Sequence, residues 1–381
     1  MIYLDHSATT PVDPRVVEAM SPYWTEVFGN PSSIYGQGRR AAAALEEARG
    51  RTAAILGCQP AEIVFTSCGT ESDNLALRGV ALAAAQKGRR HLITTPIEHH
   101  AVLHTLADLA EHFDFEVTIV PVDHTGLVDP AAIEAAIRPD TALVSVMYAN
   151  NEVGTIEPIA EIGAIARRRG VPFHTDAVQA GGILPLDVQA LNVDLLALSA
   201  HKFYGPKGVG LLYVRKGTRL LPTQTGGSQE RGRRAGTENV PYIVGLATAL
   251  ELAQGEREAE AARLLALRER LVAGILAAIP DVELTGHPTR RMPGHASFLV
   301  HGADAQSLLI ALDLAGIAAS SGSACAVGTP TASAVLTGMG YDATVALGAL
   351  RLTLGRASSE ADVETVLARL PGIVAAVRGN R

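Results

Sequence analysis

The chain has 381 residues, 48% of them hydrophobic, and its 32 Lys plus Arg against 39 Asp plus Glu leave a formal charge of −7. That length exceeds one small core and predicts a large domain with a smaller companion, while the acidic balance gives no broad basic surface and argues against nucleic acid as the main partner. The N-terminus MIYLDHSATTPVDPR lacks a charged segment followed by an apolar one, and no run of about 18 uncharged apolar residues occurs, so a soluble cytoplasmic protein without membrane contact is expected.

From about residue 60 to 215, short apolar runs (EIVFTS, HLITTP, EVTIVP, ALVSVMY, VPFHTD, VDLLALS, GVGLLYV) alternate with helical patterns at 72–87, 98–112 and 157–170. This alternation predicts an α/β fold with a mostly parallel sheet covered on both faces, and open sheets of that kind bind ligands at the carboxyl ends of their strands. After an irregular segment, 223–240, a long helix with possible breaks is predicted through ELAQGEREAEAARLLALRERLVAGILAAI. Short strands (ASFLV, LRLTL) and helices at 304–315 and 359–377 then read as a smaller α+β domain, with the boundary near 255.

Chemistry-bearing positions follow the same order. In VFTSCGTESDNLAL, 64–77, a strand runs into a small-residue turn and a helix expected to open with a Thr70-x-x-Asp73 capping box. Free N–H groups at such a start can hold phosphate, although most junctions simply cap themselves. IEHHAVLHT, 97–105, puts His100 and His104 one turn apart, but a metal site needs a third ligand, so no metal is expected and a flat imidazole stacked on a cofactor ring is the other functional option. In VPFHTDAVQAGG, Asp176 ends a strand where a crevice should open; it either caps the following turn or pairs with a protonated ring nitrogen.

ALSAHKFYGPKGVGLLYV carries one of only four lysines, Lys87, Lys202, Lys207 and Lys216, in a chain that otherwise uses Arg. Lys202 at a strand end, partly desolvated and close to the anion-binding candidates Ser199 and His201, would have a lowered pKa and could form a Schiff base; Lys207 is the weaker alternative. ERGRRAG, 230–236, is the one basic patch and reads by composition as a solvated loop. The cysteines Cys58, Cys68 and Cys325 are odd in number without C-x-x-C spacing, which indicates neither a disulfide framework nor structural zinc. A free cysteine is more often a small buried hydrophobe than a nucleophile, but Cys325 in AASSGSACAVGTPTAS has no apolar periodicity around it, and a Ser/Gly-rich loop is mobile and exposed enough to carry a thiolate into a site.

Taken together, YLDHSATTPVDPRV, FGNPSS, FTSCGTESDNLA, EHHAVL, ANNEVGT, HTDAVQ, SAHKFYGPKGVG, ERGRRAGTEN, SSGSAC and LRLTLGR resemble, in order and spacing across nearly the whole chain, the pyridoxal-phosphate cysteine desulfurases of the NifS/IscS kind within the class V aminotransferases. The resemblance implies a homodimer of the type I aminotransferase fold, with an N-terminal segment 1–15 joining the small domain, a large cofactor-binding domain 16–255 and a small domain 256–381 carrying the cysteine loop. It implies that Lys202 holds the cofactor covalently and that His99 stacks on its ring. Asp176 would pair with the pyridinium nitrogen, and Gln179 and Asn151 would bond the ring oxygen side. Gly69, Thr70, Ser199 and His201 would hold the phosphate, with Thr237 of a second subunit. Arg351 would grip the substrate carboxylate, and Cys325 would accept sulfur from L-cysteine as a persulfide, leaving L-alanine. A sulfur-acceptor protein, such as a cluster scaffold or a tRNA-thiolation partner, would receive it.

Departures from the family are Cys68 where Gly is usual, Tyr35 where His is usual, and AVGTPTAS in place of Leu-Glu-Pro after Cys325. Up to Arg381 there is also none of the extended tail by which housekeeping members dock a scaffold; these differences bear on the acceptor rather than on the desulfuration chemistry. Selenocysteine lyase or another class V activity is the alternative enzyme reading. A non-catalytic metal-binding or sulfur-carrier protein, or a turnover-deficient interaction subunit, is the reading from a different class.

Overall fold

The computed structural model describes residues 1–322 and 332–379. Its centre is a seven-stranded sheet in the order Ile63–Thr66, Gly210–Val214, Leu195–Ser199, Phe173–Asp176, Thr141–Ser145, His91–Thr94, Glu116–Ile119. Gly210–Val214 runs antiparallel to both of its neighbours, and the other pairings are parallel. Alternate residues feed two cores. Val64, Leu92, Leu143, Leu195 and Leu212 face the helices Gly69–Ala85 and His100–Phe113 on one side, while Phe65, Ile93, Val144, Leu196 and Tyr213 fill the opposite core. Burial on both faces is why strands such as Leu195–Ser199 and Gly210–Val214 read as apolar runs, while the edge strand Glu116–Ile119 is only partly buried.

A third core surrounds the antiparallel sheet Ala349–Thr353, His295–Val300, Val282–Leu284, packed by the helices Ala305–Leu314 and Glu360–Gly379. The N-terminal strand Ile2–Tyr3 pairs in parallel with Ile317–Ala318, and Leu4 is sealed in this smaller core.

The helix Val240–Ala278 starts well before the expected segment and runs unbroken through residue 255. Its first half packs Ile243, Leu246 and Leu250 into the large core, and its second half packs Leu264, Leu271 and Ile275 into the small one. The expected breaks do not occur: Gly255 continues the helix with open space where a Cβ would stand, and Gly245 and Gly274 are packing positions. A Cβ at Gly245 would come within 2.6 Å of Met20 Sδ, and one at Gly274 within 2.5 Å of Leu367 Cδ2. Among the described residues, no helix is long and apolar enough to cross a membrane.

Candidate active site

The parallel strands share one crest, and a cavity of about 480 Å³ opens there. Asp176 is the last residue of its strand; Ser199 ends the next, and the turn Ala200–Lys202 delivers Lys202. Thr66 ends a third strand, from which the chain enters the helix at Gly69. Lys202, Asp176, His99, Asn151, Gln179 and Arg351 all line this cavity. So do Gly69, Thr70, Ser199 and His201, so ten positions singled out in the sequence meet in one place.

Lys202 Nζ donates to the carbonyls of Ser7 and, at 2.8 Å, Ala8. Burial, seconded by the Arg351 charge and opposed by Asp176 and Asp5, holds its amine down at about 8. An arginine could not release its proton in this setting. Asp176 is buried and accepts from Val178 N at 2.9 Å. Burial pushes its carboxyl up, against the pull of His99 and Lys202, so the fold presents a carboxylate that calls for a cation.

His99 caps the helix His100–Phe113, its Nδ1 accepting from Ala101 N at 3.1 Å. That bond fixes the ring orientation and, in the neutral ring, places the proton on Nε2. Burial is the main cause lowering its pKa. His100 and His104 pack against each other with ring centroids 4.9 Å apart, and no group of three or more metal-ligating side chains occurs among the described residues.

At the opposite end, the helix Gly69–Ala85 points its start into the cavity. Gly69 is required sterically, since a Cβ there would lie 2.7 Å from Val178 Cγ2. The expected Thr70–Asp73 capping box is not formed. Cys68 is the N-cap, its Sγ accepting from Glu71 N at 3.4 Å, and the helix begins one residue before Thr70. Asp73 therefore falls on the second turn and faces inward, 1% exposed. Its carboxyl is driven upward by burial and by Asp176 and Glu98. His174 Nε2 stands 3.5 Å away, and that ring's Nδ1 shares a 2.9 Å hydrogen bond with Ser145 Oγ. A charged residue facing the sheet at helical spacing was the available signal for Asp73. His201 shares a hydrogen bond with Thr9 Oγ1 at 3.1 Å and is pushed down to about 4, by burial first and then by Lys202 and Lys207.

Arg351 lies mid-strand, giving Nη1 to Asn151 O at 2.8 Å and Nη2 to Asp5 Oδ1 at 2.7 Å. Gln179 Nε2 donates to Ser7 O at 3.0 Å. Asp5 and the Ser7 and Ala8 carbonyls were not singled out as site groups in the sequence, and no local pattern marks them.

Thr237 does not join the other ten. It is exposed, in a separate cleft shared with Glu230 and Arg234. Cys325 lies outside the described residues; on its N-terminal side Ser320, Ser321 and Gly322 line the cavity. ERGRRAG is not a wholly solvated loop. Glu230 is buried against Arg49, with contacts of 2.8 and 2.9 Å, while Arg231 remains exposed.

A family model for class V aminotransferases matches residues 2–366. The cysteine desulfurase IscS of Methanosarcina thermophila is 53% identical over 377 residues, covering 99% of this chain and 93% of that protein. Among solved structures, a NifS-like protein superposes with a TM-score of 0.92 at 40% identity, over 98% of this chain and 99% of its own. SspA in complex with cysteine superposes with a TM-score of 0.82 at 35% identity, over 93% and 99%.

Proposed function

The chain belongs to the class V aminotransferases and is a cysteine desulfurase of the NifS/IscS kind, and from that premise we propose that Lys202 and Cys325 divide its chemistry, Lys202 holding pyridoxal phosphate and moving protons and Cys325 taking the sulfur.

The residues present fit that cofactor, on which the family depends. A helix start whose glycine leaves no room for a Cβ unless Val178 shifts suits a phosphate, in company with Ser199 and His201. The buried Asp176 carboxyl suits a protonated ring nitrogen, His99 offers an imidazole face, and Asn151 and Gln179 suit the ring oxygen side. When bound, pyridoxal phosphate supplies the electron sink for a carbanion at the substrate Cα.

The protein's own groups do the rest. Arg351 fixes the L-cysteine carboxylate and so aims the Cα–H. Lys202, neutral in an appreciable fraction near pH 8, takes the Cα proton and later returns protons to carbon. Asp176 keeps a proton on the ring nitrogen, and His99 keeps water off one face. The Cys325 thiolate attacks the substrate sulfur, forming an S–S bond as the C–S bond breaks, and the electron pair left on carbon ends as a C–H bond of alanine. The balance is one L-cysteine and one enzyme thiol to one L-alanine and one enzyme persulfide, which an acceptor protein such as a cluster scaffold then receives.

The observation that carries this reading is the convergence of a depressed lysine amine, a buried strand-end carboxylate and a partly committed arginine on one cavity. The similar SspA was solved in complex with cysteine, which supports cysteine as the substrate here. Thr237, exposed and away from the cavity, supports a homodimer in which each subunit completes its neighbour's phosphate site. Incubation with L-cysteine should give stoichiometric alanine and one extra sulfur on Cys325 by peptide mass. Rapid turnover by Cys325→Ala would overturn the thiolate step in favour of a lyase.

A further inference from the structure

Resting on the reading that Arg351 grips the substrate carboxylate, we propose that Asp5 is a built-in competitor for that grip: its carboxylate sits on Arg351, the substrate carboxylate takes its place by exchange, and Asp5 thereby sets how tightly carboxylate-bearing ligands bind.

The donors of Arg351 leave little choice. Nη1 is committed to the backbone carbonyls of Asn151 at 2.8 Å and Gly322 at 3.5 Å. Nε is sealed from solvent and has no partner among the described residues. A carboxylate arriving from the cavity therefore has to be met through Nη2, and Nη2 already donates to Asp5 Oδ1 at 2.7 Å. As long as that contact stands, the guanidinium charge is neutralised and one of the two N–H bonds on Nη2 is taken.

Asp5 is also built to let go. Its backbone is fixed, because Ile2–Tyr3 is paired with Ile317–Ala318, Asp5 bridges Thr353, and Tyr3 Oη donates to Asp5 O at 3.0 Å. Its side chain is not fixed. Among the described residues, Arg351 is the one hydrogen-bond partner of its carboxylate, and that side chain is 20% exposed beside an Arg351 side chain only 5% exposed. Exchanging one carboxylate for another keeps the charge and hydrogen-bond count at Arg351 constant, so a χ rotation at Asp5 suffices and the strand need not move. A displaced Asp5 stays within the field of Lys202, whose cation it favours.

The test is calorimetric titration of the cofactor-loaded enzyme with 3-mercaptopropionate, which has the thiol and carboxylate of the substrate but no amine, against 2-mercaptoethanol as the carboxylate-free control. Asp5→Asn and Asp5→Ala should bind 3-mercaptopropionate about three- to tenfold more tightly than the parent, with 2-mercaptoethanol unchanged. Asp5→Glu, which keeps the competing charge, should bind like the parent, and thermal midpoints check that all three are folded. Arg351→Gln should bind 3-mercaptopropionate more weakly. Unchanged or weaker binding in Asp5→Asn and Asp5→Ala, with Arg351→Gln weakened, overturns the competitor role and leaves the Arg351 reading standing. Parent-like binding by Arg351→Gln instead overturns the Arg351 reading itself.

Discussion

Two arginines, Arg49 and Arg351, each have a side chain only 5% exposed and each pair with a carboxylate far away in the chain, yet they are used differently. Arg49 meets Glu230 with two parallel contacts, reaches Ile63 O at 3.0 Å, and lies 4.9 Å over the Phe65 ring. Glu230 in turn accepts from Phe65 N at 3.1 Å, so its carboxylate is fully engaged and its side chain is 2% exposed. This clamp holds Glu230 at φ 46° and Arg231 at φ 58°, left-handed conformations that a free loop would leave. Arg351 shares one contact with one oxygen of a partner ten times more exposed. Equal burial of the cation thus says little. The number of bonds to the anion, and whether a cavity lies beside it, separate a clamp from an exchangeable contact.

Substitutions at the cavity end should therefore remove turnover while sparing stability, and those at the clamp should do the reverse. The largest expected effect is at Lys202. Lys202→Arg keeps a cation but no releasable proton, and alanine formation from L-cysteine should fall by about 10²–10⁴-fold with little change in thermal midpoint. Retained turnover would place the proton-moving amine elsewhere, with Lys207 the first candidate.

At the clamp, Arg49→Met strands a buried Glu230 carboxylate and should cost about 3–5 kcal/mol in chemical denaturation. Removing both charges with Arg49→Met and Glu230→Met should recover much of that loss. A single variant as stable as the parent would mean that the pair is not a clamp.

A smaller effect is expected in the pH dependence of cofactor capture. The Lys202 amine is cationic below about 8 and nucleophilic above it, so the rate at which cofactor-free enzyme takes up pyridoxal phosphate should rise with pH through that value and then level off. Asp5 favours the cation, and Asp5→Asn should move the inflection to lower pH. A shift upward would contradict the placement of Asp5 beside the amine. Least of all, Cys68→Gly, which restores the residue common in the family, should alter the folding stability by no more than a few tenths of a kcal/mol, because glycine is itself a tolerable N-cap. A large change would show that the Sγ contact to Glu71 N matters more than an ordinary cap.

The sheet and most of the cavity were legible in the sequence for different reasons. Buried strands write themselves as short runs rich in apolar and β-branched residues, so the strands ending at Thr66, Ser145, Asp176 and Ser199 could be read directly. Lys202 stood out because the chain uses Arg nearly everywhere else. Helix starts were less legible. The capping-box pattern at Thr70 did not form because Thr70 already lies inside the helix, whose first turn is capped by Cys68 Sγ accepting from Glu71 N. The unbroken helix through residue 255 was hidden because glycine looks like a stop in one dimension, whereas Gly255 simply continues the helix in open space and Gly274 packs against Leu367.

What the sequence marked by itself were the chemistry-bearing residues: an amine that can lose a proton, a strand-end carboxylate, a small-residue helix start and a cysteine among small and polar neighbours, each carried by residue type and short-range spacing. What only the tertiary structure decided was which charges meet. Asp5 reaches Arg351 across 346 positions and Arg49 reaches Glu230 across 181. Asp73 was drawn into the cavity, and the Ser7 and Ala8 carbonyls were set on Lys202. Burial and pairing are properties of the space between segments, and they turn on how completely water is excluded there, which no local stretch of chain records.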